Sequence, residues 1–221
     1  MDNIVIIAVN RDNLLQYCLP AAENFAKKVG AEVEVIKEKK YNLSSKSRYD
    51  YIFFERFQAY KYIKDRTLLI DSDVLISPHC PDVFGLFSDD KIWGLIEDKD
   101  KQRATRRMQI RLTQNVLGDL GWRRGYVNAG VLLLSQTHKK LFNLSEKELQ
   151  EYINKGLPGF EDQNLINWLI RSFGYKIGDM GNFCNVPIYR RGNAKESFIV
   201  HFAGTSFKER EMKNLYEYWF K

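Results

Sequence analysis

Apolar residues follow two alternating rhythms along this chain. Ile4 to Val9 is a continuous apolar run, the mark of a buried strand, and Leu19, Ala22, Phe25, Ala26 and Val29 then recur at helical spacing up to Gly30. Pro20 is read as the opening of that helix, because its fixed φ suits the first helical position. Ala31 to Ile36 alternates as a second strand, and Tyr49, Phe53, Phe57, Tyr60 and Ile63 mark a second helix. The run TLLIDSDVLI, Thr67 to Ile76, is a third strand. This βαβαβ order predicts an α/β fold: a doubly wound, mainly parallel central sheet with right-handed crossovers and flanking helices. After Pro78 and Pro81 follow a short helix, a strand over Ile92 to Ile96, and an Arg-rich helix with Met108, Leu112, Val116 and Leu120 on one face. A strand from Tyr126 to Ser135, helices near Glu146 to Asn154 and Asp162 to Phe173, a strand through His201 and a terminal helix complete the pattern. No repeat, low-complexity stretch or linker interrupts it, so residues 1–221 read as a single domain.

The third strand carries the first chemical signal. Asp71 and Asp73 stand two residues apart at its end, and on an extended chain such residues point to one side, so both carboxylates can address one cation. Mg²⁺ or Mn²⁺ suits such a site, because hard cations take oxygen ligands and leave positions for substrate phosphates. Asp-Ser-Asp alone is equally a solvated turn. Its place at a strand's carboxyl end favours the site, since open α/β sheets bind ligands in the crevice there.

Composition narrows the classes. The chain has 44% hydrophobic and 28% charged residues, ordinary for a soluble globular protein. Asp2, rather than a basic segment, precedes the first apolar run, so the sequence predicts neither a signal peptide nor a membrane span and reads as a soluble, cytoplasmic-type chain. Cys18, Cys80 and Cys184 are odd in number and widely spaced, which predicts reduced thiols. The formal net charge of +6 permits an anionic partner without choosing among nucleotide, phosphorylated acceptor and acidic membrane surface. No nucleic-acid-binding module is present, so nucleic acid is not expected as a partner. The first strand ends AVNRDN rather than in a GxGxxG turn, and neither GxxxxGK[ST] nor GxSxG occurs. With His79, His138 and His201 as the only histidines, a three-histidine zinc site is improbable, and His201 is left as a third partner for the two aspartates.

Four segments taken together resemble one family. Asp71-Ser72-Asp73, then YVNAGVLLLS (Tyr126 to Ser135), FEDQNLIN (Phe160 to Asn167) and HFAGTSFK (His201 to Lys208) are similar to the successive motifs of GT-A glycosyltransferases, specifically the family 8, glycogenin-like group. The resemblance implies a GT-A catalytic domain, with residues 1–76 as its nucleotide-binding half and 77–221 as its acceptor-binding half. It implies that Asp71 and Asp73, the DxD motif, hold Mn²⁺ (or Mg²⁺) on the diphosphate of a UDP-sugar, with His201 as third protein ligand. By the same resemblance, Arg56 contacts the donor, and Val9 and Asn10 lie where the base and ribose are held, with Ser72 inside the DxD. Asn128, Ala129 and Gly130 match the segment lining the sugar and acceptor site, and Asp162 with Gln163 matches the pair beside the transferred sugar. Gly204 and Lys208 resemble the closing HxxGxxK element, but Lys208 follows Gly204 by four residues where the family has three, which predicts a reshaped loop. Retention of anomeric configuration is implied ahead of inversion, with a glycan, lipid-linked or protein hydroxyl as acceptor.

Elementary chemistry agrees with this placement. A departing nucleoside diphosphate gains negative charge, which a divalent cation with Arg56 or Lys208 stabilises more in the transition state than in the ground state. Asp162 is the carboxylate to orient the sugar or to deprotonate the acceptor. Each residue also has a plain structural reading. Asp162 suits a helix N-terminus, His201 a buried strand, Arg56 and the run Arg103, Arg106, Arg107, Arg111, Arg123 and Arg124 a solvated face. The functional alternatives for that run are acceptor binding or peripheral docking on a membrane. Trp122, between Gly121 and two arginines, is the first candidate for an exposed sugar-stacking ring. Two other classes compete: a haloacid-dehalogenase-like phosphatase with Asp71 as nucleophile, and a nonenzymatic nucleotide- or carbohydrate-binding protein on a transferase scaffold.

Overall fold

A computed structural model describes residues 2–44, 51–99, 102–159, 161–181, 183–185 and 194–221. Tyr49 and Phe160 lie outside them. Strand β1 (Asn3–Ala8), helix α1 (Asp12–Val29), β2 (Glu32–Ile36), a 3₁₀ helix (Tyr51–Lys61) and β3 (Arg66–Asp71) form the first half. β4 (Val74–Ile76), α2 (Val83–Leu86), β5 (Lys91–Ile96), α3 (Arg103–Leu117) and β6 (Val127–Ser135) follow. The remainder holds α4 (Glu146–Asn154), α5 (Glu161–Ser172), β7 (Lys176–Asp179), β8 (Cys184–Asn185), β9 (Ile199–His201) and α6 (Lys208–Phe220). Six strands make the main sheet in the order β2-β1-β3-β6-β5-β7, and β4-β9-β8 make a smaller one.

Alternation decides which side chain goes to which face. Val5, Ile7, Leu68, Ile70, Val131 and Leu133 join the core under α1 and α6, while Ile4, Ile6, Leu69, Leu132 and Leu134 join the core on the opposite face, with α4 and α5. Both faces of the central strands are therefore covered, which is why they read as unbroken apolar runs. The sheet is mainly parallel, as expected, with β6 alone reversed: it runs antiparallel to both β3 and β5. That reversal matters for the site. With Ile70 opposite Val131, the start of β6 lies beside the end of β3, so Asn128 to Gly130 reach the edge where Asp71 emerges.

Three expectations are corrected. The run Thr67 to Ile76 is two strands in different sheets, with Ser72 and Asp73 in the turn between them. Helix α1 starts at Asp12, leaving Pro20 inside it. Leu14, Cys18, Ala21, Ala22 and Phe25 form one buried stripe across that position, so packing outweighs the roughly 3 kcal/mol cost of an interior proline. The helix stops at Gly30, whose φ of 66° suits a residue without a side chain. Helix α3 buries Arg106, Gln109, Ile110, Thr113 and Gln114, and Met108 is 45% exposed, so the expected apolar face is not the one turned inward. Cys18 and Cys80 are buried free thiols, as the cysteine pattern predicts. Among the described residues, no helix is long and apolar enough to cross a membrane.

Candidate active site

The ends of β3, β6, β9 and α5 meet at one cleft. Pairing of Val74 with His201 brings β9 beside the DxD turn, and Phe202 N–H donates to Asp73 O at 2.9 Å. In consequence one ligand atom each from Asp71, Asp73 and His201 falls within 4.8 Å of the others, all three residues buried. The carboxylates converge because a turn folds Asp73 back over the end of β3, not because an extended chain alternates.

The tautomer of His201 follows from its neighbours. Asn128 Nδ2 donates to Glu97 Oε1 at 2.8 Å, and Asn128 Oδ1 accepts from Gly130 N–H at 2.9 Å. That amide oxygen is also 2.9 Å from His201 Nδ1, so Nδ1 is the donor. His201 Nε2 then faces Asp73 Oδ1 at 3.2 Å and Asp71 Oδ2 at 3.8 Å. A nitrogen lone pair and carboxylate oxygens repel one another in a buried site unless a proton or a cation lies between them. Asp73 Oδ1 is buried without a hydrogen-bond partner, which also fits a site built for a cation. Gly130 is required at this point: a Cβ there would overlap the His201 ring. Three oxygen and nitrogen donors with room for exchangeable ligands suit Mn²⁺ or Mg²⁺, and the fixed Nδ1 bond is the outer support that metal-binding histidines usually have.

Cations and acids surround this group. Arg56 Nη2 donates to Asp71 Oδ1 at 2.8 Å and Oδ2 at 3.1 Å, its Nη1 to Ala129 O at 2.7 Å, and its Nε lies 3.1 Å from Asp162 Oδ2. It is thus a buried bridge between the DxD and Asp162 rather than a solvated helix residue. Lys208 Nζ pairs with Asp73 Oδ2, so the longer Gly204 to Lys208 spacing still delivers the ammonium to the site. Burial, reinforced by Asp73 and opposed by Arg56, pushes the Asp71 carboxyl up to about 6. Burial also disfavours charge on Asp73, but His201 and Lys208 outweigh it and hold that carboxyl well below the usual range. On His201 burial is likewise overcome by Asp73 and Asp71, which raise its pKa.

The cleft is lined by Asn10, Arg56, Asp71, Asp73, Asn128, Gly130, Asp162, Gln163, His201, Gly204 and Lys208 from the sequence reading, together with Phe53, Arg106 and Ala203. Val9, Ser72 and Ala129 do not line it. Val9 packs in the core, and Ser72 Oγ lies 2.7 Å from Asn10 Oδ1 and accepts Arg11 N–H at 3.0 Å, clipping the β1 loop to the DxD turn. Ala129 contributes backbone, its N–H donating to Gln163 Oε1 at 2.9 Å. Trp122 is corrected: it is buried, stacked on Tyr126 at 6.0 Å, and among the described residues no tryptophan lines the cleft.

Two important residues escaped the sequence reading. Glu97, at the carboxyl end of β5, accepts from Asn128 and from Gln163 Nε2 at 3.1 Å and pairs with Arg106 Nε at 2.8 Å. The signal was available, since Glu97-Asp98 ends an apolar strand just as Asp71 does. Arg106 was counted with a basic run, but it is 3% exposed and turns from α3 into the cleft.

No known family model matches the chain, and none of the curated proteins matches it in sequence. Solved structures do. A glycosyltransferase involved in glycosylation of the major capsid of PBCV-1 superposes with a TM-score of 0.66 at 13% identity, over 97% of this chain and 100% of the other. The galactosyltransferase LgtC, solved with donor and acceptor sugar analogues, gives 0.63 at 16% identity over 99% and 96%. The fold is that of the GT-A glycosyltransferases. GlyE of Streptococcus pneumoniae gives 0.56 at 14% identity, over all of this chain and 60% of that one. Within the GT-A fold, the DxD turn lies at the end of β3 and the Asn128 to Gly130 segment at the start of the reversed strand.

Proposed function

We propose that this chain is a metal-dependent glycosyltransferase that passes a sugar from a nucleoside-diphosphate sugar, in the first instance a UDP-sugar, to a hydroxyl acceptor with retention of configuration. The observation that carries the proposal is the convergence of Asp71, Asp73 and His201 with Arg56 and Lys208 at the sheet edge. Residues 1–76 would bind the nucleotide and 77–221 the acceptor, in one catalytic domain. The GT-A fold supports the reading, and so does the resemblance to the family 8 group.

Asp71, Asp73 and His201 would hold Mn²⁺ or Mg²⁺, which when bound supplies a Lewis acid for the diphosphate oxygens. Lys208 is 20% exposed at its side chain and anchored by a single ion pair, so its ammonium can turn to the leaving phosphate. Asp162, held by Arg56, and Gln163, held by Glu97 and Ala129, would orient the donor sugar, and Asn128 fixes His201 while lining the same space. The phosphatase alternative loses support, because that class carries its aspartate pair after the first strand of its domain, whereas β1 and β2 both precede Asp71 here. The intact set of cations and carboxylates argues against a decayed scaffold.

The test is a donor panel incubated with the chain, Mn²⁺ and a mixture of hydroxyl acceptors, followed by ³¹P and ¹H NMR. Release of nucleoside diphosphate with a new glycosidic bond of the donor's anomeric configuration is expected. Inverted product would remove the retaining assignment, and phosphate release without glycoside would favour a hydrolase.

A further inference from the structure

Helix α3 divides its arginines between two places. Arg106 enters the cleft, whereas Arg103, Arg107 and Arg111 line a separate groove of about 660 Å³, closed on its other side by Arg123 and Arg124. Adjacent residues of α3, Arg106 and Arg107, line the two cavities, so the cleft and the groove flank one helix, about 10–12 Å across with its side chains.

The groove carries uncompensated charge. Its one acid, Asp119, is already held by Arg123 at 3.1 Å. Among the described residues Arg103, Arg107, Arg111 and Arg124 have no acidic partner, and Arg107 Nε is buried without a hydrogen-bond acceptor. The loop that presents the far wall is fixed in advance. Gln114 Oε1 accepts the N–H groups of Leu120 and Trp122 at 3.0 Å each, and its Nε2 donates to Trp122 O at 2.8 Å. Trp122 Nε1 donates to Arg124 O at 2.8 Å, and Arg171 Nη2 to the same oxygen at 3.1 Å. The buried Trp122 is thus a strut under the groove.

Guanidinium forks around a concavity match tetrahedral oxyanions, which accept two parallel hydrogen bonds from each fork. A preformed wall lowers the ordering cost of binding. We propose that this groove is an anion subsite for the phosphoryl groups of the acceptor, which it holds while the acceptor hydroxyl reaches the cleft around α3. The word acceptor rests on the glycosyltransferase reading; phosphoryl binding by the groove does not.

The experiment is calorimetric titration of inorganic tripolyphosphate into the full chain in EDTA, with Arg107→Gln/Arg111→Gln and Lys208→Gln as variants. Wild type is expected to bind, the double variant to bind at least about tenfold more weakly, and Lys208→Gln to keep wild-type affinity. Absence of binding, or weakening by Lys208→Gln alone, overturns the proposal. A vesicle arm separates the sources of phosphate: phosphatidylglycerol vesicles sedimenting the wild type but not the double variant, without tripolyphosphate binding, would make the groove a lipid-surface contact and overturn the subsite. Unchanged Mn²⁺-dependent donor affinity and thermal midpoint in the double variant confirm that its effect is confined to the groove. If no donor binds even wild type, the transferase reading fails while the tripolyphosphate result stands.

Discussion

Gly130→Ala tests the site through the sign of a stability change. Gly130 is not among the glycines with positive φ, so alanine fits its backbone and would by itself stabilise the chain by about 0.4–1 kcal/mol. The added methyl instead meets the His201 ring, with Nε2 at 2.6 Å, Nδ1 at 2.8 Å and Cε1 nearer still. Ordinary contacts are about 3.5–4.0 Å, so the ring must shift by roughly 1 Å from the position in which Asn128 and the two carboxylates now meet it. Overpacking of this kind costs about 1–3 kcal/mol. Gly130→Ala should therefore lower stability in the wild-type background and weaken Mn²⁺ binding at least about tenfold, since metal ligands tolerate displacements of only about 0.2 Å. In a His201→Ala background the same substitution should become neutral or stabilising. Urea denaturation of the four proteins gives the cycle, and Mn²⁺ titration gives the affinity. Equal costs in the two backgrounds, or wild-type Mn²⁺ affinity in Gly130→Ala, would refute the reasoning.

Three further outcomes are expected. Asp73→Asn should abolish metal-dependent donor binding while the circular dichroism spectrum stays native; donor affinity equal to wild type would remove the metal assignment. Glu97→Ala takes a shared acceptor from Asn128, Gln163 and Arg106 and should cost about 3–5 kcal/mol by denaturant melts, much of it recovered in Glu97→Met/Arg106→Met; a cost below about 1 kcal/mol would show that Glu97 is not the hub. Burial, aided by Arg66, pushes the His138 pKa down to about 4, so the folded chain keeps this ring neutral while the unfolded chain protonates it near the ordinary value of 6.5. Its contribution is present above pH about 6.5 and is lost as pH falls toward about 4, at up to roughly 1.4 kcal/mol per pH unit, and His138→Gln should flatten that part of the stability profile; parallel profiles would contradict it.

Much of this is legible in the sequence. Asp71, Asp73, His201 and Arg56 each have a bland reading alone; their order along the chain groups them, and in the fold all four line one cleft. What stayed hidden was set by packing. Periodicity carries no strand direction, so the reversal of β6 could not be read, although it is what brings Asn128 to the DxD edge. An apolar decad such as Thr67 to Ile76 does not announce that a turn divides it between two sheets. Pro20 suits a helix start by local propensity alone, and the buried stripe that crosses it is what places it inside α1. On α3 the buried face is largely polar, with Arg106, Gln109 and Gln114, since it faces the cleft and the loop beyond it; an apolar stripe therefore does not mark the inward side of this helix, nor a basic run its solvated one.

The most direct test of the central claim is calorimetric titration of nucleoside-diphosphate sugars into the chain with Mn²⁺ and again with EDTA, with Asp71→Asn in parallel. The account predicts binding of at least one donor that requires both the metal and Asp71. Donor binding indifferent to EDTA and to Asp71→Asn, or no donor binding at all, would contradict it.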